Sequence, residues 1–241
     1  MRDNYKKLTT EIDRFFDLLS FLSEIQIGIR NSGTYSVIDC EIRDKDEFDL
    51  LFKSLKSNLI IMLYNLVEST VRLSMNAYYD DFNSKMKNYT TAIDEIRKLW
   101  VKYGATSFKE NQINNQVFGL IEQAIDKEYY IYLDFEKFHL SGNADLKEIK
   151  SILSFHGISY EESEFKTYGG SLRSIKEMRN SLAHGNVSFE DNGRNLAISD
   201  IQKYKEQTYS CLEYFMSIVK NNFVNENIKK PTNRKWRMKS L

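Results

Sequence analysis

The chain has 241 residues, 41% of them hydrophobic, with 10 Gly and 1 Pro, so it can bury a sizeable core and has few residues that interrupt helices. Lysine plus arginine and aspartate plus glutamate balance at 34 each, and overall charge therefore argues neither for nor against a nucleic-acid partner. Cys40 and Cys211 stand far apart, with no CxxC spacing and no histidine close to either, so neither a disulfide framework nor a cysteine-based metal site is suggested.

The opening "MRDNYKKLTTEIDRFF" lacks the apolar run and small-residue cleavage site of a signal peptide. A first helix is expected over roughly 9–29, with Leu8, Ile12, Phe15, Phe16, Leu19, Leu22 and Ile25 or Ile29 on one face, ended by Asn31 to Gly33. After a short irregular piece, "DKDEFDLLFKSLKSNLIIMLYNLVESTVRLSMNAYY" begins with Asp44 and Glu47 in capping-box spacing. It carries Phe48, Leu51, Leu55, Leu59, Met62, Leu66 and Leu73 along one stripe. Some 35 residues at about 1.5 Å each make a rod of roughly 50 Å, the backbone of a bundle. Its most apolar part is interrupted by Asn65, Glu68 and Arg72 and is a poor membrane span, so a cytoplasmic protein without a membrane partner is expected.

Further helices are expected near 90–103, 114–128 and 144–155, the last preceded by the loop "HLSGNAD". Gly169 to Ala183 forms another, with Leu172, Ile175, Met178 and Leu182 on one face. The stretch "NVSFEDNGRNLAIS" reads as a small β-hairpin turning on Asn192 and Gly193. A final helix begins near Ser199 or Asp200 and runs to about Asn222. The expected fold is all-α: an antiparallel helical bundle with a long central helix and a β-hairpin excursion before the last helix. One domain should cover 1–227, followed by a basic tail over 228–241. That tail holds Lys229, Lys230, Arg234, Lys235, Arg237 and Lys239 and no acidic residue. It reads either as an electrostatic handle for polyanions or as a solvated, frayed terminus.

The segment "EMRNSLAHGN", Glu177 to Asn186, ends its helix on an arginine, an asparagine and one of three histidines. Arg179 and His184 are five positions apart, so on an unbroken helix they point about 140° away from each other. Gly185 and Asn186 accept the left-handed conformation at a helix end and are expected to release His184 from that direction. The negative pole of the helix favours a protonated histidine there. Spacing alone leaves two readings open: a surface ion-pair donor with a C-terminal cap, or acid-base chemistry on a phosphate. His139 and His156 each follow a Phe near a helix boundary, have no carboxylate or Cys cluster beside them, and read as structural.

Arg179, Asn180, Ser181, Leu182, Ala183 and His184 match Arg, four residues beginning with a polar one, then His. With "LYNLVESTVR" on the long helix, "LSGNADLKEIKSILSFHGI" and "GGSLRSIKEMRNSLAHG", the chain resembles the HEPN family (higher eukaryotes and prokaryotes nucleotide-binding), in its MAE-type prokaryotic form from toxin-antitoxin and defence loci. The resemblance covers most of Asp44 to Asn222. It implies a metal-independent endoribonuclease without a cofactor, acting on RNA as a homodimer whose two motifs face each other, and restrained by an antitoxin or defence-system partner protein. Arg179 and His184 would then be catalytic, Arg179 clamping phosphate oxygens and paired His184 side chains serving as base and acid. Asn180 would orient sugar, phosphate or Arg179. The stripe Asn65, Glu68 and Arg72, at i, i+3, i+7, is either a surface Glu68–Arg72 ion pair or the border of the composite cleft, with Glu68 holding Arg179. The alternative is a non-catalytic HEPN module that binds a nucleotide, RNA or a protein. A metal-dependent nuclease has no Asp, Glu and His cluster at ligand spacing to support it.

Overall fold

The computed structural model describes residues 1–26, 45–85 and 88–224. Among them are nine α-helices and no strand: α1 (Arg2–Gln26), α2 (Lys45–Lys85), α3 (Asp94–Ala105), α4 (Ile113–Ile125), α5 (Leu146–Phe155), α6 (Glu162–Lys166), α7 (Gly169–Ala183), α8 (Phe189–Arg194) and α9 (Ile198–Asn221). The all-α expectation holds. The end expected for the first helix near residue 29, Cys40, the Asp44 cap and the basic tail lie outside the described residues.

The chain divides into two compact units, and α2, α5 and α9 contribute residues to both. The first comprises Met1–Leu73, Leu140–Ile149 and Glu161–Met216. Here α1 starts seven residues earlier than its apolar pattern suggested, because Tyr5 extends the buried face of Ile12 and Leu19 by one heptad. α1 and α9 run antiparallel, as their contacts show. The Tyr5 and Tyr209 rings meet edge to face, the Tyr209 hydroxyl bonds the Thr9 carbonyl, and Lys205 pairs with Asp13 at 2.9 Å. Ser171 on α7 donates to Gln207 on α9 at 2.6 Å, and Phe165 of α6 packs on Tyr214.

The buried face of α2 only overlaps the expected one. Leu59 and Leu66 are buried as expected, but Leu51 and Leu73 are exposed and Phe52, Lys56, Ile60, Leu63, Val67, Thr70 and Val71 are buried, so the centre of the stripe is displaced by about one residue or 100°. Apolar side chains surround most of this helix, and periodicity alone fixes such a phase poorly. By length and composition α2 could cross a membrane, but half of its apolar window is taken up by packing.

The hairpin expected before the last helix is absent; Phe189–Arg194 is a helical turn instead. Ser188 caps it, its hydroxyl accepting the Asp191 N–H, and Glu190 and Asp191 sit in the first turn. The Asn192–Gly193 pair serves close packing rather than a hairpin turn. A Cβ on Gly193 would stand 1.9 Å from the Lys53 carbonyl oxygen, so only glycine lets α8 approach α2 this closely. Ser57 donates to the Phe189 carbonyl and accepts from Asn192, and the Lys56 ammonium caps the Leu196 carbonyl at 2.6 Å.

The second unit comprises Ser74–His139, Lys150–Tyr160 and Ser217–Leu241. Its core is aromatic, built around Tyr78, Tyr79, Phe82, Tyr103, Phe138 and His156. The extended segment ending in Leu133 is pinned by Asn83, whose side chain both accepts from and donates to the Leu133 backbone at 2.8 and 2.9 Å. Helix α4 also belongs to this unit.

Candidate functional site

All six sequence-derived candidates, Asn65, Glu68, Arg72, Arg179, Asn180 and His184, lie in the first unit. Helix α7 buries Leu172, Ile175 and Leu182, which turns Arg179 and Asn180 to a half-buried position at its edge. The Arg179 guanidinium carbon lies 4.3 Å from the centre of the Tyr64 ring on α2, a cation–π contact that holds the fork over the ring. Its Nη1 donates to Asn180 Oδ1 at 3.0 Å and, more weakly, to the Gly142 carbonyl at 3.4 Å. No bond among the described residues occupies Nε or Nη2.

The same carbonyl of Gly142 accepts the Tyr64 hydroxyl at 2.6 Å, and the Ala144 N–H donates to the Tyr64 oxygen at 3.3 Å. Asn180 Nδ2 donates to Asn143 Oδ1 at 3.0 Å. The loop from Ser141 to Asp145 is therefore stitched to both helices. Gly142 takes φ +73°, which favours glycine, and the Ser141 N–H donates to Glu148 at 2.6 Å. Asp145 caps α5 by accepting the Glu148 N–H and pairs with Lys176 at 2.5 Å. Burial alone would raise the Asp145 carboxyl, but the Lys176 and backbone hydrogen bonds outweigh it and hold it below the usual range.

Tyr64, Gly142 and Asn143 were absent from the sequence-derived set. Tyr64 is completely buried, and burial pushes its phenol up; the Ala144 N–H and Arg179 oppose that rise and Glu68 adds to it. It thus stays neutral and keeps its donor proton. The sequence offered one cue, the Ser-Gly-Asn run at the loop, but the partners lie 37 and 78 residues away. In Tyr64→Phe the ring remains beneath Arg179, while the Gly142 carbonyl keeps only the weaker Arg179 bond and the Ala144 N–H loses its partner. We expect a stability loss of about 2 kcal/mol by urea unfolding, from a buried N–H left unpaired and a half-buried carbonyl left under-satisfied.

His184 is exposed and forms the C-terminal cap of α7. The Gly185 N–H bonds the Leu182 carbonyl and the Asn186 N–H the Ser181 carbonyl, with Gly185 at φ +69°. The release from helical geometry falls one residue after the histidine. His184 leaves helical angles only at ψ (φ −89°, ψ 0°) and its N–H still donates to the Asn180 carbonyl at 3.0 Å, so the helical offset of about 140° from Arg179 persists within one chain. Its ring makes no hydrogen bond among the described residues.

On α2, Asn65 and Arg72 are exposed and Glu68 is half-buried, one turn beyond Tyr64 on the same face. Among the described residues no ion pair joins Glu68 to Arg179; the Tyr64 ring holds the guanidinium instead. No group of three or more His, Cys, Asp or Glu side chains among them could hold a metal ion.

The arrangement is a stacked, oriented arginine with unoccupied donors at a helix edge, and an exposed histidine at the end of the same helix. It suits recognition of an anion such as phosphate. No curated protein and no solved structure matches the chain. The model of the MAE_28990-like HEPN family matches residues 3–228, almost the full length of the chain. The chain belongs to the HEPN family, in its MAE-type branch.

Proposed function

We propose that the protein is a metal-independent endoribonuclease, working as a homodimer in the cytoplasm as a toxin or antiphage effector and restrained by an antitoxin or other partner protein. The observation that carries this reading is the pre-oriented Arg179 fork, with Nε and Nη2 left for phosphate oxygens. The angular offset between Arg179 and His184 supports a composite site, because a second copy across a two-fold axis can supply the histidine that one helix turns away. The 2'-hydroxyl attacks phosphorus, one His184 takes its proton, the other protonates the departing 5'-oxygen, and both Arg179 forks stabilise the charge that builds on phosphorus. The products are a 2',3'-cyclic phosphate and a 5'-hydroxyl. Asn180 orients Arg179, and Glu68, Asn65 and Arg72 border the substrate path.

A non-catalytic module that binds RNA or a nucleotide is the second reading, favoured by the exposed His184 ring, which no hydrogen bond among the described residues orients. Incubation of purified protein with single-stranded RNA in EDTA separates the two. Cleavage to 2',3'-cyclic phosphate ends, with DNA of the same sequence intact, is expected. Cleavage that requires added Mg²⁺, or RNA retention without cleavage, sinks the ribonuclease reading.

A further inference from the structure

Helix α4 has no buried residue, and it leaves Ile113, Val117, Phe118, Ile121 and Ile125 between 42 and 70% exposed. These side chains lie within an arc of about 140°, while Leu120, at the edge of that arc beside Ile113, rests against Gly104 of α3. Such a stripe on a helix that is otherwise anchored marks a contact surface. We propose that this face pairs with the same face of a second copy of the chain, antiparallel, about a two-fold axis level with Gly119.

Three features select a second copy. The spacing is self-complementary: Ile113 and Ile125 are each six residues from Gly119, and Val117 and Ile121 each two. An antiparallel pair therefore sets 113 against 125 and 117 against 121 in both directions, as a two-fold interface requires. The face also carries no charge, since Glu122, the one charged residue of α4, points roughly 110° from the centre of the stripe. Identical faces meet without repulsion, and a charged partner finds nothing to pair with. Finally, with about half of each side chain exposed, the five present on the order of 450 Å² of apolar surface per chain. Two such faces approach the roughly 1,000 Å² that a specific interface must clear, before any polar rim is counted.

This interface lies in the second unit, involves no residue of the Arg179–His184 site, and goes beyond the proposed ribonuclease reading. If the motif faces also pair, each chain carries two two-fold surfaces and the assembly is a tetramer or a longer even-numbered species.

Sedimentation velocity over a micromolar concentration series tests it. Ile121→Asp, at an exposed position, should keep the parent's circular dichroism and weaken one association step by roughly 100-fold, since each pair receives two buried charges. Arg179→Ala should leave that step unchanged. Mixing Val117→Lys chains with Ile121→Asp chains should restore association that neither shows alone, because the register brings 117 opposite 121. The proposal is overturned if Ile121→Asp sediments as the parent does at every concentration, or if the mixture gains nothing. It is equally overturned by a parent that stays monomeric throughout, which would assign the face to another segment of this chain or to a different protein.

Discussion

His184→Ala abolishes RNA cleavage, because in the proposed composite site it removes the base and the acid together. Arg179→Ala lowers the rate by roughly 2.7 to 4 kcal/mol of lost transition-state stabilisation, on the order of 100- to 1,000-fold, and more where both copies act on one phosphate. Arg179→Lys restores little. An ammonium offers no planar fork to phosphate and stacks poorly on Tyr64, whose ring lies 4.3 Å from the guanidinium carbon. Cleavage by the parent follows a bell-shaped pH profile, as one neutral and one protonated imidazole require. Co-refolding parent and His184→Ala chains in equal amounts gives a further measure. Random pairing leaves about a quarter of the dimers with two histidines, so activity falls to about a quarter if both are needed and to about half if each chain works alone. Parent-like cleavage by His184→Ala ends the mechanism outright.

What the sequence made legible follows the range of the interactions involved. The end of α7 was readable because Gly185 and Asn186 act on bonds three and five residues back. Arg179 and His184 were readable as a spacing, and the family resemblance rested on it. The support for Arg179 was not, because Tyr64 and the Gly142 carbonyl are brought to it by packing between segments far apart in the chain. The failed hairpin has the same origin. Asn192–Gly193 is a strong local turn signal, yet the glycine answers to the Lys53 backbone 140 residues earlier, and the Ser188 cap decides the local structure. The displaced stripe on α2 shows a different limit. Where Leu51 and Leu55 adjoin Phe52, Leu59, Ile60, Leu63, Leu66 and Val67, the apolar surface is wider than one stripe, and only the neighbouring helices decide which part of it is covered. For α4 the pattern revealed the helix but not that its apolar side stays exposed among the described residues.

The second large effect concerns stability in acid and rests on His156, read from the sequence as structural. Its ring is buried; Nδ1 donates to the Ile152 carbonyl at 2.7 Å, which as an acceptor fixes the tautomer. Nε2 therefore accepts from the Tyr79 hydroxyl at 2.9 Å, and the Tyr79 oxygen accepts in turn from Tyr103 at 2.6 Å. A proton on Nε2 would face a donor and break this chain. Burial, only partly opposed by the Ile152 bond, pushes the imidazole down to about 4 from 6.5. The unfolded chain thus takes up a proton near pH 6.5, whereas the folded protein resists until about 4. This contribution to stability is complete above pH 6.5 and is lost as pH falls from there to about 4. At 1.36 kcal/mol per pH unit the loss comes to about 3 kcal/mol. Urea unfolding of the parent at pH 7, 5.5 and 4 should show that decline. His156→Phe, less stable at pH 7 because Tyr79 loses its acceptor, should decline by about 3 kcal/mol less across the same window. Parallel curves for the two proteins would mean that His156 is protonated in the fold and that the Tyr79–Tyr103 relay does not hold it neutral.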